Sequence, residues 1–457
     1  MNTLKLKKVD ATQGSIPKLI LAYTIPLIIS SILQNLFHIA DKAVLGNMAG
    51  SAAVASIAAT GTVTELIISG AIGLSAGTSI VLARVIGQKD KEKIRATIDT
   101  SLLMSVALGV LVAVVGFFLA PYILVWTKCP NECYDGALTY MRIYLAAAPA
   151  TLLYNYGSSI LRAQGDTQRP LMYVMIAGVA NVVLNVILCL ILPQKVAAVA
   201  IATVTSNLIS ALLVFRRLCR LEDDSRVIVS KMRFDVLTFS KVLRFGLPST
   251  ISHLVHPLGN IQVMTEINSY GAEVLAGFSA SASVDTIPRA FATGFGSATT
   301  VFMGQNIGAS SPERVKKSFW YIMGVNTLIT GLIGIFLYFT GSFWIGLIIG
   351  RESTVAIEHG TIRAFYVTLF MFVLAINTTL SSALAAFGYP ILTSITNIAF
   401  NLVFRVFWMS FIYPLNPTYA NVPLCFTWSW FLNMSFYAIF FAFVYWRYFK
   451  KGICKKI

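Results

Sequence analysis

The stretch Ile86-Gly87-Gln88-Lys89-Asp90-Lys91-Glu92-Lys93-Ile94-Arg95 returns 221 positions later as Ile307-Gly308-Ala309-Ser310-Ser311-Pro312-Glu313-Arg314-Val315-Lys316. In both copies an apolar run ends on Ile-Gly, and a short polar joint follows. A cluster of acid and base then opens the next apolar run. The register extends outward: Gly73 meets Gly294, and Tyr140-Met141-Arg142 meets Thr361-Ile362-Arg363. A one-residue slip brings Pro26 against Pro248, and another brings Pro170 against Pro390 and Asn181 against Asn401. The chain is an internal duplication. In a strongly apolar chain this is the sequence sign of a secondary transporter, in which two similar bundles rock about a site between them.

Composition excludes a set of soluble domains. Of 457 residues, 56% are hydrophobic and 12% are charged, and the mean hydropathy is +0.74. A soluble domain carries roughly a quarter charged residues. Apolar stretches of about 20 residues, long enough to cross a bilayer, recur along almost the whole length. Twelve are expected: 17–46, 52–84, 94–125, 136–163, 170–193, 196–218, 238–269, 273–305, 315–348, 358–386, 390–413 and 422–448. Several exceed the minimum, which predicts tilted or kinked helices.

The net charge of +16 reports topology rather than a nucleic-acid partner. Basic residues cluster in alternate connections: Lys5, Lys7 and Lys8; Lys89 to Arg95; Arg162 and Arg169; Arg216 to Arg233; Arg314 to Lys317; and Lys450 to Lys456. The intervening loops carry only isolated cations. This positive-inside pattern predicts an even number of spans with both termini cytoplasmic. The first apolar run is too long for the core of a signal peptide and is expected to remain as a helix. Cys129 and Cys133 fall in a predicted outer loop, where they either pair or stay as two thiols.

The longest polar connection divides the chain where the duplication predicts a joint. Residues 1–218 read as one six-helix lobe, 219–240 as a cytoplasmic linker and 241–457 as the second lobe. An even number of spans per repeat makes the repeats parallel, related by an axis along the membrane normal. Each lobe opens on a helix with a proline about eight residues in, Pro26 or Pro248. A proline there removes a backbone hydrogen bond and favours a kink, either as part of the mechanism or as a packing feature. Gly165-Asp166-Thr167-Gln168-Arg169-Pro170 reads as a turn with a helix start, Pro170 near the first helical position.

Ionisable side chains inside spans are functional candidates: Asp41, Glu65, Asp99, Glu266, Asp285, Arg405, His38, His253 and His256. Asp99 and Glu266 lie near span ends and read as interfacial. Glu65 and Asp285 occupy nearly equivalent mid-span places, where burial is expected. Gln34, His38 and Asp41 share one helical face, offering an amide, an imidazole and a carboxylate among apolar neighbours. Such a carboxylate can exchange a proton or bind a small cation; the other reading puts Asp41 at the membrane surface. Asn181 and Asn185 share a face one turn apart, and Thr203 belongs to the next span; their oxygens ligate a hard cation or bond neighbouring helices. Arg405 aligns with Asn185 and needs an acidic or carbonyl partner. No phosphate-binding glycine loop, nucleophile elbow or zinc spacing is present, so the sequence reads as no enzyme, with no metal site or organic cofactor.

The run Asn35-Leu36-Phe37-His38-Ile39-Ala40-Asp41-Lys42-Ala43-Val44-Leu45-Gly46, with Pro26, Gln34, Arg162-Ala163-Gln164-Gly165-Asp166-Thr167 and the Asn181/Asn185 face, resembles the MATE (multidrug and toxic compound extrusion) transporters. The likeness covers essentially the whole chain. It implies an all-α membrane protein of twelve spans in two parallel six-helix bundles, V-shaped around a central cavity. It also implies antiport of organic cations or other amphipathic compounds against protons or sodium, by a monomer among the lipids of a bacterial inner membrane. The family's cation-coupling positions fall on Asp41, Asn181, Asn185 and Thr203, with His38 as an assistant; Gln34, Phe37 and Pro26 would face the substrate cavity. Asn185 stands where a second carboxylate is usual, and Phe37 lacks a tyrosine hydroxyl. In the second lobe Asp285, His256 and Arg405 are the candidates, without a confident family match. The alternative is a related flippase for a lipid-linked oligosaccharide. Its pyrophosphate would need cavity cations, for which Arg142, Arg289, Arg363 and Arg405 are available.

Overall fold

Why the chain is helical follows from its solvent: in lipid every backbone N–H and C=O must be satisfied within the segment. The computed structural model describes residues 8–127, 129–222, 225–350 and 353–451. The first repeat contains α1 (Ile16–Gln88), α2 (Lys91–Trp126), α3 (Asn131–Ala146), α4 (Ala148–Ala163), α5 (Gln168–Ile191) and α6 (Lys195–Cys219). The second contains α7 (Val236–Ser269), α8 (Ala272–Val284), α9 (Thr286–Gly308), α10 (Pro312–Phe339), α11 (Gly341–Ile349), α12 (Thr354–Tyr366) and α13 (Met371–Ala386). It ends with α14 (Pro390–Asn397), α15 (Phe404–Phe407) and α16 (Asn421–Lys451). Between α14 and α16 the backbone winds as π-helix over Ile398–Val403 and Trp408–Ile412. No strand occurs among the described residues.

Among the described residues eight helical segments are long and apolar enough to cross a membrane, and a ninth is formed if the bent pair α12–α13 counts as one span. The two expected first spans belong to one continuous helix, α1, with candidate spans at Ile16–Phe37 and Ala59–Gln88. No proline interrupts it after Pro26, and glycine alone does not stop a helix. Three expected spans are instead broken: α3–α4 at Ala147, α8–α9 at Asp285, and α12–α13 across residues 367–370. The first and third breaks occupy the same place in the two repeats.

By contacts the chain forms two units, one of Met1–Asp10 and Ile29–Thr250, the other of Ala11–Ile28 and Ile251–Ile457. This differs from the division along the sequence at the leading segments of α1 and α7, which are traded. In the first unit Gly73 and Gly77 of α1 lie directly on the α7 backbone. A Cβ on Gly73 would sit 2.4 Å from the Thr250 Cα, and one on Gly77 2.5 Å from the Gly246 nitrogen. Small residues four apart allow this closeness in a membrane helix pair. In the second unit Gly294 of α9 faces Ile28 and Thr24, and Tyr23 meets Phe302 edge-on at 5.7 Å. Nearby, Gln305 accepts from the Ala11 N–H at 3.1 Å and Asn306 donates to the Ala11 carbonyl at 3.0 Å. The exchange points fall within a turn of Pro26 and Pro248.

Local signals set several helix starts. Asp90 accepts from the Lys93 N–H at 3.1 Å and caps α2, as acceptors do at orphan N–H groups. The Asp166 carboxylate accepts from the Arg169 N–H at 3.2 Å, and Gly165 adopts φ +83° against the Val9 backbone. Pro170 stands at the third helical position rather than the first. Pro312 does open α10.

Candidate functional site

Within the first unit, Phe37 and α5 define the neighbourhood expected to couple to a cation. The Phe37 ring covers Gly178, where a Cβ would lie 2.0 Å from the ring. Asn181, three residues on, is buried, and Asn185 is fully so. The Asn185 amide donates to Asn181 Oδ1 at 3.2 Å. Thr203 turns its hydroxyl to its own helix, donating to the Val199 carbonyl at 3.0 Å. Gln34 is exposed and folds its amide back on Ser30, at 3.1 Å to the carbonyl and 3.2 Å to the hydroxyl. Pro26 is buried inside α1. The side chains of His38, Asp41 and His256 lie outside the described residues.

The mid-span acids diverge. Glu65 is exposed, contrary to the expected burial, because its turn of α1 continues unbroken. Its near-equivalent Asp285 sits in the α8–α9 joint and is wholly buried. Asp99 is buried too, 3.8 Å from Arg95 one turn back.

The second unit holds the most strongly polar centre. Arg363 Nη1 donates to Asp285 Oδ2 at 2.7 Å and to the Ser281 hydroxyl at 3.0 Å. The Thr368 hydroxyl donates to Asp285 Oδ1 at 2.6 Å. Thr368 comes from the α12–α13 break, so two broken spans meet through one carboxylate. Arg405, buried between the two π-helical stretches, donates to Asn260 Oδ1 at 2.8 Å and to Asn401 Oδ1 at 3.2 Å. The carbonyl partner expected for Arg405 is thus an amide pair. The Asn401–Arg405 bond repeats the Asn181–Asn185 bond of the first unit, with a guanidinium in place of the donor amide. The local π-winding accommodates the larger group, as π-bulges often do at functional sites. Both guanidiniums stack on aromatic faces, Arg363 over Phe278 at 4.8 Å and Arg405 over Phe426 at 4.4 Å.

These groups border a cavity of about 270 Å³ lined by Asn260, Val263, Phe278, Arg289, Arg363 and Phe426, among others. Each arginine inside a span is disfavoured by about 2.5–3.5 kcal/mol on insertion scales, so a cluster of them needs compensation. Sequence reasoning named the arginines and Asp285 but not Ser281, Asn260 and Ser429, which partner the arginines, or Thr368, which donates to Asp285. The spacing does hold a signal for Asn260: it follows His38 by 222 positions, as Pro248 follows Pro26.

Two helical repeats, each with a buried polar centre where its spans meet, define a duplicated multi-pass membrane protein of the transporter class. The sequence model of the MatE family matches residues 26–187 and again 248–409. The two matches open on the two repeat prolines and together span most of the chain, which belongs to this family. It is 27% identical over 369 residues to the Probable multidrug resistance protein YoeA of Bacillus subtilis, covering 79% of each chain. It is also 27% identical over 314 residues to the FAD transporter of Shewanella oneidensis, covering 66% of this chain and 68% of that one. A crystal structure of MATE in complex with MaL6 superposes with a TM-score of 0.88 at 22% identity, covering 96% of this chain and 99% of that one. That likeness fixes the fold.

Proposed function

We propose that this protein is a secondary antiporter that exports small amphipathic molecules, cations among them, in exchange for protons or sodium. It would work by alternating access in the plasma membrane, with both termini cytoplasmic. The observation that carries the reading is the seat of Phe37 on Gly178. Asp41 follows Phe37 by about one turn of the same helix, and Asn181 follows Gly178 by three residues, so the carboxylate and the two amides belong to neighbouring stretches of α1 and α5. One carboxylate with two amide oxygens and the Thr203 hydroxyl is a donor set for a hard cation, and a carboxylate in apolar surroundings also serves a proton. The relatives named for multidrug resistance and for FAD transport support a small molecule with an apolar ring system as the cargo.

Exchange requires that the ion and the cargo favour different states, since a ligand shifts an equilibrium only by its differential affinity. A site that changes charge each cycle supplies that difference. The test is efflux of rhodamine 6G from proteoliposomes under an imposed sodium or proton gradient, for wild type and Asp41→Asn. Gradient-driven efflux that the substitution abolishes supports the antiporter, and the effective gradient names the ion. Efflux indifferent to both gradients and to the substitution overturns it.

A further inference from the structure

We infer that the second unit's cavity is a binding site for an anionic group, a phosphate or carboxylate attached to a compact ring or an acyl chain. Three guanidiniums border it or stand directly behind its wall: Arg289, Arg363 and Arg405. Among the described residues Asp285 is the one carboxylate that reaches any of them, and Arg363 occupies it at 2.7 Å. Arg405 is held by neutral acceptors alone, two amide oxygens and the Ser429 hydroxyl. Arg289 makes no side-chain hydrogen bond or ion pair with the described residues, and it lines the cavity wall. Among the described residues the centre therefore carries two positive charges beyond its one carboxylate. Unpaired charge away from water, as at buried Arg405, is strongly disfavoured, and Arg289, exposed at the cavity wall, is placed to meet an anion with two or more acceptor oxygens. Arginine is the side chain whose planar fork suits such a group.

The position of the cavity in the repeat supports the same assignment. At the 222-residue spacing of the two prolines, Asp41 corresponds to Val263 and His38 to Asn260, both in the cavity wall. Asn185 corresponds to Arg405 at the 220-residue spacing that pairs Asn181 with Asn401. Each change moves the polarity one way: a carboxylate becomes a valine, and an amide becomes a guanidinium. The place that suits a cation in one repeat suits an anion in the other. Val263, Met264 and Val367 supply the apolar wall for the rest of the ligand. A volume of about 270 Å³ lies near the small end of ligand pockets, enough for a charged head and one compact ring. The inference rests on the transporter reading only for its biological sense; binding itself needs no gradient.

The test is calorimetric titration of 1-naphthyl phosphate into the full chain in nanodiscs of neutral lipid, with 1-naphthol and 1-naphthylmethylammonium as matched rings of other charge. The phosphate is expected to bind and the other two to bind at least about tenfold more weakly, the factor of one charge-assisted contact. Arg289→Gln should weaken the phosphate by a similar factor, while Arg289→Lys, which keeps the charge but not the planar fork, loses less. Absence of phosphate binding by wild type, or equal binding by Arg289→Gln, overturns the site. Equal loss in Arg289→Lys and Arg289→Gln overturns it too, since charge is then not what the cavity reads. Adding phosphatidylglycerol to the nanodisc distinguishes the sources: displacement of the probe assigns a lipid headgroup, and persistence assigns a soluble anion. Phosphate binding that fails while Asp41-dependent rhodamine efflux persists removes this site and leaves the antiporter; the reverse outcome removes the antiporter and leaves the site.

Discussion

Arg363 and Asp285 face each other at 2.7 Å, and each comes from a span that the chain interrupts near that residue. The α8–α9 joint frees the backbone around Asp285, and the α12–α13 break places Thr368 on its other oxygen. Interrupted membrane helices are stable where the freed groups are buried in protein or line a cavity. Here both conditions hold.

Breaking that pair leaves one buried charge uncompensated. Asp285→Ala and Arg363→Ala should each destabilise the protein by about 3–5 kcal/mol. An Asp285→Ala/Arg363→Ala double variant should lose clearly less than the two single losses added, because the partners are coupled. Thermal unfolding of the four forms in detergent checks this; additive losses would mean the pair acts as two separate contacts.

Gly178 admits the Phe37 ring because it has no Cβ. Gly178→Val should destabilise the first unit by about 1–3 kcal/mol through overpacking, and adding Phe37→Ala should recover part of it. Monodispersity and thermal midpoint in detergent report the effect. If Phe37→Ala restores nothing, the ring is not what fills the space.

Asn185 stands where a second carboxylate would strengthen a hard-cation site. Asn185→Asp is expected to raise sodium affinity about tenfold by ligand charge count, read as the sodium concentration giving half-maximal rhodamine 6G efflux. No change in that concentration would place sodium elsewhere.

A Cβ on Gly77 would stand 2.5 Å from the α7 backbone. Gly77→Leu therefore forces two backbones apart, and neither can move like a side chain. A loss of folded yield is expected, with Gly61→Leu, which has open space around it, as the tolerated comparison. Equal yields would deny the close crossing.

Cys129 tests topology and carries a pH signature. Burial, together with neighbouring Cys133, pushes its thiol above the ordinary value. The thiolate is the reactive form, so less of it exists at neutral pH and labelling keeps rising into the alkaline range. A membrane-impermeant maleimide on intact cells should modify Cys129 slowly at pH 7 and faster at pH 9, with Cys133→Ser removing interference. Labelling confined to lysed cells would reverse the assigned orientation.

The duplication, the helical class and the transporter family were legible because each depends on long-range periodicity and composition, which many residues write together. Asn181 and Asn185 were legible as a face, since spacing of four on one helix is a local fact. The Arg363–Asp285–Thr368 centre was not. It joins residues 78 to 83 positions apart, and it depends on two helix breaks, of which one has Pro288 beside it and the other, at 367–370, has no proline or glycine. Glu65 and Asp285 show the limit well: nearly equivalent in sequence, they part because one helix continues where its counterpart breaks. The π-winding around Arg405 also leaves no sequence mark.

The traded leading segments of α1 and α7 bear on how such a gene arose. A single repeat, translated alone, would carry a first helical segment with nothing to pack on and a glycine-lined groove with nothing in it. Two copies would complete each other reciprocally, as domain-swapped homodimers do. The polar connection at 219–240 then reads as the tether that made a self-complementing pair into one polypeptide. Once fused, the copies no longer had to stay identical: Val263 and Arg405 could drift from Asp41 and Asn185 without spoiling both sites at once. Splitting the gene in that connection should yield fragments that are insoluble apart and recover activity when co-expressed.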